Sequence, residues 1–288
     1  MTSPRPAIAP QAEVDLHMHS TASDGALPPA QVVAAAHAAG LSAIALTDHD
    51  TMAGIDEAVE AANMVGMRVV HGVELSAHDG PEEIHLLALH VSRRGPLESR
   101  LAYFRDGREV RAQRIVARLN ELGVPVTVES VMTEAAGGSV GRPHVARAII
   151  RLGAVRDSRE AFDKYLAAGR PAFVPKDRLE VRDAIEITHE AGAIAVWAHP
   201  GADGRRVRLE PLVEMGLDGV EVRHPSHNQE DVRRLGALAD FFGILWSGGS
   251  DWHGSREGPR TVGCMHIPFE WLARQDAITA TRYTAEVA

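Results

Sequence analysis

The sequence predicts an α/β barrel of about seven strand–helix units, interrupted once by a helical insertion. Three observations lead there. Short apolar runs alternate with alanine-rich helical stretches from residue 13 to about 94, and again from 171 onward. Between about 97 and 170 that rhythm gives way to helices alone. Almost every apolar run also delivers a His, Asp or Glu at its end.

The first run, "EVDLHMH", reads as a strand in which His17 and His19 project to one face while Leu16 and Met18 occupy the other. "LPPAQVVAAAHAAG" has prolines near a helix start and Gly40 at its end. "LSAIALTDHD" is a strand, "TMAGIDEAVEAANMVG" a helix closed by Gly66, and "MRVVHGVELS" and "IHLLALHV" are two more strands. Strand–helix–strand order implies parallel units with right-handed crossovers. "LESRLAYFRDGREVRAQRIVARLNELG" then reads as one long basic helix, followed by three shorter helices. After it come helix "VRDAIEITHEAG", strand "AIAVWAHP", helix "RLEPLVEMG", strand "DGVEVRHP", helix "QEDVRRLGALADFFG" and strand "ILWSGGSDWHG". The expected organisation is a tail over 1–12, a barrel over 13–96 and 171–275, a helical cap over 97–170, and a tail over 276–288.

Composition narrows the function classes. The 288 residues are 45% hydrophobic and 24% charged, enough for one large core. A formal charge of −9 disfavours a duplex-DNA surface but admits a small anion, because bound metals would add positive charge. Cys264 is the sole cysteine, which excludes an internal disulfide and thiolate clusters. The proline-rich start has no apolar core of a signal peptide, and no 18-residue apolar run suggests a membrane span. A cytoplasmic protein without membrane partners is expected, with a monomer favoured.

The polar residues that end the runs are His17, His19, Asp48, His49, Glu74, His85, His199, His224, Asp251 and His253. In a parallel barrel the C-terminal strand ends converge on one face, where active sites lie. With Asp24 of the "SDG" turn, the candidate ligands are His17, His19, Asp24, His49, Glu74, His85, His199, Asp251 and His253. Six imidazoles and three carboxylates exceed the four ligands of one tetrahedral zinc, and imply two or three ions. Three divalent ions, three carboxylates and a hydroxide leave about +2, a match for a phosphate dianion, so phosphoester hydrolysis is the expected chemistry. Locally His90 competes with His85, and periodicity does not separate them.

"DLHMHSTASDG", "ALTDHDT", "GVELS", "AHPG" and "GGSDWHG" together resemble the PHP (polymerase and histidinol phosphatase) family over residues 13 to about 265. The "GRPHVA" insert resembles its nucleotide-phosphatase branch, which includes 3',5'-bisphosphate phosphatases and RNase AM-like proteins. The resemblance implies a distorted (β/α)7 TIM-like barrel, the PHP fold, with a small inserted domain. It also implies three divalent ions, most readily Mn2+, with Fe2+ or Zn2+ as alternatives. One would sit on His17, His19, Glu74 and Asp251; Glu74 would bridge to a second on His85 and His199; the third would take Asp24, His49 and His253. The family match selects His85 over His90.

Other residues are candidates for supporting roles. Asp48 is expected to orient an imidazole. Arg142 and His144, at a helix start marked by Pro143, are candidate phosphate contacts, as is Lys176. His227 is the candidate for substrate contact or proton transfer. His37, His78, His90 and His189 read as structural or solvated. The expected activity is removal of the 3'-phosphate from a 3',5'-bisphosphonucleotide, with 5'-end trimming of short RNA by the same route. Histidinol-phosphate phosphatase is the alternative enzyme, and a non-enzymatic metal or nucleotide sensor the alternative of another class. A sensor is disfavoured because the ligand set is complete.

Overall fold

Runs that alternate in sequence become strands buried on both faces. The computed structural model describes residues 13–135, 140–175, 178–254 and 260–287. The expected tail over 1–12 lies outside them. Two units divide the chain: Met1–Glu98 with Leu179–Ala288, and Ser99–Arg178. The inserted unit therefore runs beyond the expected boundary at 170.

In chain order the elements are β1 (Glu13–Met18), α1 (Pro29–Ala38), β2 (Ala43–Leu46), α2 (Ile55–Val65), β3 (Arg68–Asp79) and β4 (Glu82–Leu89). Then follow α3 (Arg94–Glu121), α4 (Val128–Ala135), α5 (Arg142–Arg151) and α6 (Ser158–Ala161), the last running into a π-helical turn at Phe162–Leu166. The barrel resumes with α7 (Val181–Glu190), β5 (Ile194–Trp197), α8 (Arg206–Glu214), β6 (Gly219–Arg223), α9 (Gln229–Phe242), β7 (Leu245–Gly248), β8 (Ile267–Pro268) and α10 (Phe269–Val287).

The eight strands form one sheet in the order β7-β6-β5-β4-β3-β2-β1-β8. Beyond β7 the chain returns to β1 and nearly closes the ring. Met18 bridges Trp252 in parallel, Asp251 N–H donates to His17 O, and His19 N–H donates to Trp252 O, both at 2.9 Å. The TIM-like barrel expected from the sequence is therefore present, with its distortion in an identifiable place. β4 pairs antiparallel with both β3 and β5, whereas the sequence pattern implied parallel units throughout. The reason is the link between β3 and β4, only Gly80 and Pro81 long. A parallel crossover needs a dozen or more residues, so a two-residue link makes a hairpin. Gly80 supplies the positive φ of 61° that this turn requires.

Val14, Leu16, Ala43, Val70, Leu87 and Val196 pack in one cluster of the barrel core. His17 and His19 are as buried as Leu16 and Met18, so β1 has no wet face. The inserted unit has a core of its own, in which Ile115 and Leu119 of α3 join Val131, Val145 and Ile149. The expected C-terminal tail is instead helical as far as Val287. α10 buries Leu272 and Gln275 completely, and Asp276 accepts two hydrogen bonds from Arg68 at 2.6 and 2.7 Å.

Barrel closure depends on an absent side chain. A Cβ on Gly249 would lie 2.5 Å from both the backbone nitrogen and Cβ of His17, and 2.8 Å from Asp15 Oδ1. Backbone cannot yield as a flexible side chain does. Gly249→Ala should therefore destabilise the fold by roughly 1–3 kcal/mol, read from the urea midpoint. A midpoint equal to wild type would show that this seam is loosely packed.

Candidate metal centre

Two buried imidazoles on one strand demand polar partners, because unpaired polar groups in an apolar interior are costly. His17 Nδ1 lies 3.1 Å from Glu221 Oε1, which leaves Nε2 to face inward. There His17 Nε2 lies 3.1 Å from His19 Nε2, 3.2 Å from Glu74 Oε2 and 3.5 Å from Asp251 Oδ1. His19 Nε2 is 3.2 Å from the same Glu74 oxygen and 3.1 Å from the same Asp251 oxygen. These spacings identify what the cluster fits. A tetrahedron whose corners lie roughly 2.0–2.1 Å from its centre has edges of about 3.3–3.4 Å. Four donors, all buried, thus converge at the spacing of ligands around one small cation.

Glu74 extends the cluster. Its Oε1 lies 2.8 Å from His85 Nδ1 and 3.0 Å from His199 Nε2, while Oε2 also lies 3.3 Å from His49 Nδ1. One carboxylate thus faces two groups of imidazoles, the arrangement a bridging ligand requires. His49, Glu74 and His85 form one grouping able to hold an ion. The antiparallel course of β4 explains how His85 takes part: it sits opposite Ser76 of β3 rather than at a strand end. A third grouping joins His19, Asp24, His49 and His253. Asp24 Oδ1 is 3.3 Å from His253 Nε2 and Oδ2 is 3.8 Å from His49 Nε2. All nine sequence candidates therefore fall in one contiguous cluster, and the donor chemistry fits divalent metal ions. His90 lies apart from it, bonded to Gln275 at 3.1 Å.

The surrounding residues hold the donors in place. His199 and Asp251 have φ of 33° and 50°, strained backbone for residues with side chains. The strain is stabilised by hydrogen bonds: His199 N–H donates to Glu221 Oε2 at 2.7 Å, and Asp251 N–H to His17 O. Ser226 N–H donates to His224 Nδ1, so His224 Nε2 can donate to Asp251 Oδ2 at 3.3 Å. Asp15 Oδ1 accepts from Ser250 N–H and its Oδ2 from Gly263 N–H, fixing the return from β7. Glu221 was overlooked in the sequence, although an acid between two buried valines in "GVEVR" signals it. Arg260, 2.5 Å from Asp251 Oδ2, has no local signal in its glycine-rich surroundings.

Two expected roles change. Among the described residues Asp48 bonds to no imidazole; it accepts from Ser20 N–H, Ser20 Oγ and Ser23 Oγ, each at 2.7 Å. It shapes the turn that carries Asp24. His227 accepts from Gly201 N–H at Nε2 and faces Val222 O with Nδ1, both at 3.1 Å. Both ring nitrogens are thus committed to backbone, and burial lowers its pKa. It pins the turn after His199 instead of shuttling a proton.

In the inserted unit, Arg142 donates to Leu166 O at 3.1 Å, and its guanidinium lies over the rings of Phe162 and Phe173. His144 Nδ1 accepts from Gly141 N–H at 2.9 Å and so caps α5. Lys176 lies outside the described residues.

Electrostatics follow from the packing. Burial works to raise the Glu74 carboxyl, but His17 and the neighbouring imidazole hydrogen bonds hold it well below the usual range. Burial opposes charge on His17 also, and Glu221 and Glu74 outweigh it. For His85, burial is again outweighed, by Glu74 and Glu83, and its pKa rises to about 9. Asp24, despite some burial, is held at about 2 by His253 and His49.

Known proteins resemble this chain in sequence and fold. The family model for the PHP domain matches residues 15–123. A 3',5'-nucleoside bisphosphate phosphatase of Chromobacterium violaceum is 37% identical, over 88% of this chain and 91% of its own. A 5'-3' exoribonuclease of Haemophilus influenzae is 38% identical, over 83% of this chain and 89% of its own. Among solved structures, a candidate metal-dependent phosphoesterase of Bifidobacterium adolescentis superposes with a TM-score of 0.71 at 30% identity, covering 93% and 96% of the two chains.

The His85 shift has a measurable sign. In the metal-free protein its proton stabilises the fold fully below about 6.5, and that contribution is lost as pH rises through about 9. A cation must displace the same proton. Calorimetric titration of metal-free protein with Mn2+ or Zn2+ at pH 7, in buffers of different ionisation enthalpy, should register proton release. The release should shrink above pH 9; its absence at pH 7 would place His85 outside the bound set.

Proposed function

The chain belongs to the PHP family, and from that premise we propose that it is a metal-dependent phosphoesterase removing the 3'-phosphate of 3',5'-bisphosphonucleotides. The observation that carries this reading is the tetrahedral spacing of His17, His19, Glu74 and Asp251, continued through Glu74 to five further donors. We assign three ions, Mn2+ first and Fe2+ or Zn2+ otherwise. His17, His19, Glu74 and Asp251 would hold one, Glu74, His85 and His199 a second, and Asp24, His49 and His253 the third. Such ions supply Lewis-acid polarisation of a phosphoryl oxygen and acidify a nucleophilic water.

The chain's own groups then have separable tasks. Glu221 fixes the His17 ring so that its Nε2 lone pair points inward, and His224 and Arg260 together hold Asp251. Asp48 and His227 are positioning residues for the turns at 20–24 and 199–201. A second phosphate needs partners of its own: Arg142 is proposed as a positive one, with Lys176 as another candidate, and His144, whose Nδ1 accepts from Gly141 N–H, as a neutral donor through Nε2. The bisphosphate reading is supported by the Chromobacterium relative. Trimming of RNA from a 5' end is supported by the Haemophilus one, and poses the same problem of one scissile and one anchoring phosphate.

Glu74→Gln should remove one shared charge while conserving shape. Activity is expected to fall by at least about a thousandfold, with bound metal reduced below wild type by elemental analysis. Activity within tenfold of wild type would refute the bridging assignment.

Substrate choice is decided by competition. Adenosine 3',5'-bisphosphate should be hydrolysed in preference to AMP and to histidinol phosphate. Arg142→Ala should raise KM for the bisphosphate about tenfold with metal content unchanged, the loss of one charge-assisted contact. Preference for histidinol phosphate would replace the substrate while leaving the metal assignment standing.

A further inference from the structure

Charge is divided unevenly along this chain. Residues 99–178 hold 15 Lys and Arg against 9 Asp and Glu, a formal +6, so the rest of the −9 chain carries −15. Such asymmetry within one chain points to a polyanionic partner for the basic part.

Four of the seven arginines of α3 share one face. At 100° per residue, Arg100, Tyr103, Arg111, Arg114 and Arg118 fall within a sector of about 100°. Ala112, Ile115, Val116 and Leu119 turn the other way, into the core of their own unit. Tyr103 is 58% exposed, which is unusual for so large a ring. Beside it lies a cavity of about 260 Å³ bounded by Tyr103, Gly107, Arg111, Arg114 and Val174. Gly107, one turn after Tyr103, contributes no side chain to that space. Arg111 Nε donates to Val174 O at 2.8 Å, and Arg118 donates to Phe173 O, so the helix is braced along this side. From Tyr103 to Arg118 the face runs about 22 Å, long enough for several nucleotides of extended strand.

We propose that this face of α3 is a track for single-stranded RNA, its arginines pairing with successive phosphates and Tyr103 stacking on a base seated beside Gly107. The inference deepens the RNA part of the proposed function and rests on it. Repeated guanidinium groups match repeated phosphates, and an exposed ring among them matches a base.

The test uses the full chain loaded with Mn2+. Binding of a labelled 12-nucleotide phosphorothioate RNA is read by fluorescence anisotropy across a salt series. Arg114→Glu should weaken binding at least tenfold and lower the salt slope by about 0.7 per lost phosphate contact. Tyr103→Ala should weaken it about fivefold or more, the scale of one base–aromatic stack. Both variants should turn over adenosine 3',5'-bisphosphate as wild type does, which also shows that they fold. RNA affinity within twofold of wild type in both variants overturns the proposal. So does loss of a dimer by sedimentation with RNA affinity retained, which would make this face a contact between copies. Variants that lose RNA binding in a protein inactive on every phosphoester would sustain the track and sink the proposed function. Bisphosphate hydrolysis without RNA binding would do the reverse.

Discussion

The Glu74 carboxylate is the contact on which the rest of the site depends. Its side chain is 1% exposed, and an ionised carboxylate buried alone would be penalised by several kcal/mol. Five imidazoles share its two oxygens, at 2.8 to 3.3 Å. In the metal-free protein protons balance this charge, which is why His17 and His85 hold theirs so firmly. Protons and divalent cations compete for the same lone pairs. A cluster that binds protons this well is therefore a site whose charge is made for cations.

Holding that cluster open is harder than assembling it. Left-handed backbone at His199 and Asp251 costs on the order of 1–3 kcal/mol each. The hydrogen bonds that offset it are made by backbone amides: that of His199 donates to the Glu221 carboxylate, and that of Asp251 to the backbone carbonyl of His17. Asp15 and Gly249 bring the return strand against β1, and His227 pins the turn after His199. Each acts on backbone, so the ligand side chains remain free to face one another. A structure optimised only for stability would place apolar residues here.

This division explains what was legible in the sequence. Ligands at or just beyond strand ends show a phase, and His17, His19, His49, His199, Asp251 and His253 are legible from it; Glu74 is legible as an acid closing the apolar run, although β3 continues past it to Asp79. His85 could not, because β4 runs antiparallel and delivers it from within a strand; only the family resemblance separated it from His90. Gly80 in "HDGPE" marked the hairpin that causes this, but the regular strand–helix rhythm outweighed it. Asp48 and His227 are legible as neighbours of ligands, but their hydrogen bonds run elsewhere. Their partners are backbone groups and serines on neighbouring turns, and hydrogen bonds between distant segments leave no periodic trace. Glu221 is legible only as an acid between the two buried valines of "GVEVR", a signal without a partner in the sequence. The helical character of 276–287 was missed because α10 carries little amphipathic contrast and owes its order to burial of Leu272 and Gln275.

The charge distribution constrains how such a barrel could bind phosphate. A unit with a formal −15 repels anions over most of its surface. Among the described residues around the cluster, the guanidinium of Arg260 is already engaged by Asp251. Phosphate affinity in the barrel must then come chiefly from the cations held by the cluster, which makes substrate binding and metal loading one coupled equilibrium. The acidic excess also has a use: it draws divalent cations toward the cluster as strongly as it repels anions. A formal +6 on the inserted unit supplies attraction of the other sign and is independent of metal. Discrimination among phosphoesters therefore belongs to groups outside the ligand set, since the cations themselves offer every phosphate the same charge.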